Sequence, residues 1–489
     1  MIARTFTSRA RVAFVVAALS APLAPALAQG TLDRNAQPKA GASPKLRVPT
    51  WTRAKLRNGA ELIVIEKHDL PLVAFTLDFV GGAANYEPAD KLGLASFTGQ
   101  MLSEGTTSKT ADQLSDAQQM LGTSISAGVG SESGSIRFTA LKDKFEPALA
   151  LAADMLLNPT FPDSALERLR GRSLVALSQQ KDQPNSIASN VFAKITYGAD
   201  HPYGHVVSEQ TVKAITRADI AAFHKAYFKP GRAVITVTGD IDPKTVKGIV
   251  EKALAAWPAG GKRPTFKYPA TPAPRARTIY LIDKPKAAQS VFSFGTPGPA
   301  RSTPDYYSLS VMNHLLGGLF QSRLNHDIRE VKGFSYGVRS SFAFGHGPGA
   351  FNAGGGIVSA KSDSALMAFM THFKGVQGAM PFTDDEMMQG KESLIQSLPG
   401  RFATVNGIGA AIASIYTQDL PENYYKAYAD KINAVTKADL VRVARKYIDV
   451  DHMNMVIVGD RAAIEASLAK TGVAPIVLLD VDGKPVIVP

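Results

Sequence analysis

Residues 214–240, AITRADIAAFHKAYFKPGRAVITVTGD, align without a gap to residues 434–460, AVTKADLVRVARKYIDVDHMNMVIVGD, at a constant offset of 220. Ala214, Thr216, Ala218, Asp219, Tyr227, Gly239 and Asp240 recur as Ala434, Thr436, Ala438, Asp439, Tyr447, Gly459 and Asp460. The shared unit reads as a threonine N-cap, a helix, a tyrosine, a strand and a Gly-Asp turn. It implies two homologous halves of roughly 210 residues each.

Between the copies, residues 260–277 (GGKRPTFKYPATPAPRAR) carry four prolines and read as a linker. Before it, strand patterns fall at 61–66, 72–80, 133–141 and 233–238. Helical patterns fall at 91–103, 111–121, 144–157, 163–181 and from 243 to about 257. After it the order restarts, with strands at 278–282, 290–294 and 349–358 and helices from about 303. Strands and long helices without regular βαβ alternation predict an α+β fold: two homologous halves, each a mostly antiparallel sheet with helices packed on it. The halves span 49–259 and 278–470, followed by a tail, 471–489.

The chain has 489 residues, 45% hydrophobic and 20% charged, as in soluble globular proteins. Its first 28 residues differ: Arg4, Arg9 and Arg11 precede an apolar run, and Ala26-Leu27-Ala28 offers a cleavage site. This predicts a signal peptide over 1–28, export to the periplasm and a polar, flexible lead-in over 29–48. The run is short and is followed by Pro22 and Pro25, so stable membrane insertion is not expected. The formal charge of +12 is spread along the chain with no basic tract, and nucleic acid is not an expected partner. There is no cysteine, which excludes disulfides, thiolate zinc sites and a cysteine nucleophile.

The segments LRNGAELIVIE, FVGGAANYEPADKLGLASFTGQMLSEGT and HPYGH lie in the first half, and LLGGLFQSRLNHDIREVKGFSYGV in the second. In this order the chain resembles the insulinase/pitrilysin-type zinc metallopeptidases, the group that includes mitochondrial processing peptidase. Active members carry H-x-x-E-H, two zinc-binding imidazoles one helical turn apart with a glutamate base between them, and a further glutamate on a later helix. The matching positions here are Ser96, Gly99, Gln100 and, on 163–181, Ala176. None is a good zinc ligand and no general base remains, so no metal or other cofactor is expected on this chain.

Other histidines do not replace the site. His201 and His205 flank Pro202 and Gly204, which oppose a helix, and His314 and His326 have no third partner. What the resemblance retains is an arginine and a tyrosine seven residues apart, Arg329 and Tyr336, which in the family contact substrate. A guanidinium can donate to a substrate carbonyl and a phenol to a developing oxyanion. Gly317 and Gly318 match a turn along the family's substrate cleft, where they would allow close backbone approach.

The resemblance thus implies a metal-free, substrate-binding subunit of a periplasmic heterodimeric zinc peptidase, inactive alone. Zinc would sit on a homologous partner subunit, and the substrate would be a peptide or unfolded protein held partly by strand addition. The alternative is a non-enzymatic scaffold on a retired peptidase fold.

Overall fold

The computed structural model describes residues 46–486, so the expected signal peptide and most of the lead-in lie outside the described residues. Branched and aromatic runs form two six-stranded sheets. The first comprises β1 (Thr52–Lys55), β2 (Glu61–Glu66), β3 (Leu72–Val80), β4 (Ser126–Val129), β5 (Ser133–Leu141) and β6 (Ala233–Gly239), ordered β1-β2-β6-β3-β5-β4. The second comprises β7 (Thr278–Asp283), β8 (Gln289–Pro297), β9 (Ser335–Phe342), β10 (Ala350–Val358), β11 (Asn454–Gly459) and β12 (Ile476–Leu479), ordered β12-β7-β11-β8-β10-β9. Pairing is antiparallel except β2 with β6 and β7 with both β11 and β12. The registers also correspond: Thr76 faces Thr236 in the first sheet as Ser293 faces Val456 in the second. The chain is therefore α+β with two matching halves.

The first half contributes helices α1 (Leu94–Met101), α2 (Ala111–Met120), α3 (Phe145–Leu157), α4 (Asp163–Gln180), α5 (Pro184–Tyr197), α6 (Arg217–Tyr227) and α7 (Pro243–Ala253). The second contributes α8 (Tyr306–Asn313), α9 (Ser362–Lys374), α10 (Asp384–Gln396), α11 (Val405–Thr417), α12 (Tyr424–Asn433), α13 (Lys437–Tyr447) and α14 (Arg461–Lys470). The repeated threonines cap α6 and α13. Thr216 Oγ1 accepts from Asp219 N at 3.2 Å and Thr436 Oγ1 from Asp439 N at 3.2 Å, while each aspartate accepts from its threonine's N–H. Each box satisfies amides that a helix start leaves unpaired.

Two helices cross between halves. α5 packs on β8 and β11 of the second sheet, and α11 packs on β3 and β6 of the first. Sheet faces left bare by their own helices are covered in this way.

Two boundaries differ from expectation. The first motif helix starts at Leu94 because Gly93 sits at φ 103°, a left-handed conformation that breaks the helical path. Residues 476–479, expected in the tail, form β12 against β7, so the second half runs past 470. The segment 260–277 has no regular structure, yet Phe266 stacks on His346 at 3.7 Å and Tyr268 on His201 at 5.6 Å, so it is pinned to both halves.

Candidate functional site

α1 is held by its buried face, Leu94, Ala95, Phe97, Thr98, Gly99 and Met101. Its first amides are satisfied by Glu87, whose Oε1 accepts from Gly93 N at 2.9 Å and Ala95 N at 2.7 Å. Burial raises the Glu87 pKa, against the lowering effect of those two amides.

Ser96 and Gln100 lie on the exposed face, with Gln100 Nε2 donating to Ser96 Oγ at 3.1 Å. Gly99 instead faces β4. A Cβ at Gly99 would stand 2.7 Å from Gly128 Cα and 2.7 Å from Val129 N. A glutamate at position 99 would have no room on this backbone. Ala176 is exposed on α4, a helix tied to the end of α1 by the Arg168–Glu104 ion pair, and offers only a methyl group. These four positions do not fit zinc. Among the described residues no group of three or more His, Cys, Asp or Glu is arranged to hold a metal ion.

His201, His205 and His314 make structural contacts. His201 is buried against Tyr197 and Tyr268, and its Nδ1 accepts from Tyr203 N at 3.1 Å. His205 bonds the Ala199 carbonyl at 3.0 Å. His314 meets Ser393 Oγ at 3.1 Å, and His326 is exposed.

In the second half, the turns of the segment 315–338 pack on the edge strand β9. Gly317 lies in a wide helical turn, His314–Gly318, pressed on β9: a Cβ there would stand 2.3 Å from Ser340 Oγ. Gly318 is exposed and makes no comparably close approach to another strand; a Cβ there would meet Asn313 O at 3.2 Å. Arg329 occupies a second wide turn, His326–Val331, with its guanidinium over the Phe320 ring at 4.5 Å and its Nε 3.2 Å from Glu330. Such turns interrupt regular helices at functional positions more often than elsewhere.

Tyr336 is 85% exposed, though its strand neighbours Ser335 and Val338 are buried. The reason is a register shift: Val338 pairs with Gly355 and Ser335 with Ile357, so Tyr336 and Gly337 oppose the single residue Gly356. This bulge breaks the two-residue alternation and turns Tyr336 outward. Ser335 pins it, its hydroxyl donating to Gly356 O at 2.6 Å and accepting from Gly337 N at 2.9 Å.

Sequence reading missed Ser335 and the buried Asn325. Asn325 donates to Phe320 O at 2.7 Å and accepts from Val338 N at 3.0 Å. The second bond occupies an outward-facing amide of β9, so this edge does not offer a free ladder for strand addition at that point.

A family model described as Insulinase (Peptidase family M16) matches residues 63–206, and one described as Peptidase M16 inactive domain matches 214–394. An uncharacterized zinc protease, YmxG of Bacillus subtilis, is 27% identical over 290 residues, covering 59% of this chain and 69% of that relative. Matches to zinc proteases of Mycobacterium bovis and Mycobacterium tuberculosis span only 60% of those relatives. The non-peptidase homolog YmxG of Helicobacter pylori is 23% identical over 414 residues, 83% of this chain and 93% of that relative. A crystal structure of a peptidase M16 inactive domain from Pseudomonas fluorescens superposes with a TM-score of 0.78 at 28% identity, covering 85% of this chain and 99% of that one. With both halves matched in order, the chain belongs to the insulinase (M16) peptidase family, as a homologue of the inactive type.

Proposed function

We propose that this chain is the metal-free, substrate-binding subunit of a two-chain zinc peptidase, exported to the periplasm and inactive alone. The observation that carries the reading is the bulge at Tyr336. A pinned bulge ejects the phenol into solvent at the start of β9, the strand that follows the turn bearing Arg329, and the hydroxyl has no partner among the described residues. A merely structural tyrosine in an edge strand would turn its ring inward.

In the assembled pair, Arg329 would donate to a substrate carbonyl and Tyr336 to the oxygen that gains charge during hydrolysis. The partner's zinc would supply the hydrolytic chemistry. Co-expression with a homologue that carries H-x-x-E-H tests the reading. The pair should cleave unfolded peptide and this chain alone should not; zinc-dependent turnover by this chain alone overturns it.

The name of the Helicobacter relative, a non-peptidase homolog, favours a second reading as a scaffold. In that case a pair would form without dependence on Arg329 or Tyr336.

A further inference from the structure

The two crossing helices meet very different floors. Under α5, Ile187, Val191 and Phe192 join Ile282, Val456 and Val458 in one apolar cluster. Under α11, the register equivalents of Val456 and Val458 are Thr236 and Thr238, whose hydroxyls are buried without a hydrogen bond. Asp78 faces Val234 and Ser135 as Gly295 faces Asn454 and Asn352. At Gly295 the Phe192 ring fills the space, since a Cβ there would lie 2.9 Å from Phe192 Cζ. At Asp78 the space stays open, as a cavity of about 1070 Å³ between α11 and strands β3, β5 and β4. The repeat acts as an internal control: the same topology closes with apolar side chains in one half, so the polar cavity of the other is not imposed by the fold.

Asp78 and Arg301 line this cavity without an ion pair, and Asp78 feels the Arg137 charge only from beyond ion-pair distance. The Asp78 carboxylate takes no hydrogen bond and no ion pair from any described residue; Arg137, on the next strand, bonds Ser135 Oγ at 2.7 Å instead. The Arg301 guanidinium lies over the Tyr306 ring at 3.4 Å and near Tyr424 at 5.3 Å, also without an anionic partner. The other acid, Glu132, is already engaged by the Tyr203 hydroxyl at 2.6 Å and His346 N at 3.0 Å. Hydroxyls of Thr76, Ser126 and Ser133 line the same space with no partner among the described residues. A half-buried carboxylate and guanidinium left unpaired call for complementary charge. The volume lies just above the range of about 300–1000 Å³ for small-ligand sites, roomier than one amino acid needs.

We propose that the cavity binds a short zwitterionic peptide, its terminal ammonium at Asp78 and its terminal carboxylate at Arg301, with the hydroxyls taking backbone amides between. The site needs neither partner nor zinc, so it stands or falls separately from the roles of Arg329 and Tyr336.

Calorimetric titration of the mature chain with tetra-alanine tests it. The free-ended peptide should bind, and N-acetylation or C-amidation should each weaken binding about tenfold or more, the scale of one charged hydrogen bond. Asp78→Asn should weaken the free peptide by a similar factor yet leave the acetylated one unchanged, and Arg301→Gln should behave likewise toward the amidated one. Circular-dichroism melts verify that both variants fold. Absence of binding by the wild-type chain, or equal binding of the doubly capped peptide, overturns the proposal.

Discussion

Gly99 and Gly128 touch through their backbones, leaving no volume for a side chain where α1 crosses β4. A glutamate at position 99 is therefore excluded by the packing as well as absent from the sequence. Gly99→Glu should destabilise the chain by about 1–3 kcal/mol, the usual cost of forcing volume into a packed contact. The triple variant Ser96→His, Gly99→Glu, Gln100→His should not regain stoichiometric zinc, read by metal analysis after dialysis. Recovery of tight zinc binding would show that β4 yields.

The Asp78 carboxyl is pushed up to about 6, chiefly by burial, with Arg137 opposing the shift. Its folded pKa exceeds its unfolded value near 4, so the native state binds this proton more tightly. The stability it adds is complete below about pH 4 and is lost as pH rises through about 6. Asp78→Asn should therefore be more stable than wild type by about 2 kcal/mol at pH 7.5, with the difference vanishing near pH 3.5. Urea unfolding at several pH values reads this directly.

Tyr336→Phe removes one exposed hydroxyl and should change stability by less than about 0.5 kcal/mol. In the assembled pair it should lower kcat about 100-fold, the scale for one lost oxyanion donor. Arg329→Ala should act in the same assay, with a rise in KM as well. Unchanged turnover in both variants favours the scaffold reading.

Ser335→Ala leaves the bulge unpinned, stranding the Gly337 amide and the Gly356 carbonyl. A cost of about 1–3 kcal/mol is expected for such unsatisfied groups. Hydrogen exchange at Gly337 should accelerate, and turnover of the pair should fall although no substrate-contacting group was changed.

Thr216→Ala and Thr436→Ala should each cost about 1 kcal/mol as capping losses. The two sites lie in different halves and share no partner, so the double variant should show the sum within about 0.5 kcal/mol.

Local signals in the sequence carried far. Thr216 and Thr436 announce their helices because a cap acts within three residues, and the strand at Glu61–Glu66 follows from a continuous apolar run. The exchange of α5 and α11 was not legible, because which sheet a helix covers depends on contacts hundreds of residues away. The outward turn of Tyr336 depends on a register shift against Gly356, which no single-strand pattern encodes. The polar floor under α11 did leave a trace: the aligned repeat already shows hydroxyls at Thr236 and Thr238 where the second copy has Val456 and Val458. That contrast gains meaning only once both strands are seen to lie under a borrowed helix.

Because each sheet is roofed by a segment encoded in the opposite half, the repeat units cannot be independent modules. A nick within residues 260–277 should leave both fragments with an uncovered sheet face and an orphaned helix. Neither product would persist as a folded monomer, and mixing them should rebuild the native particle.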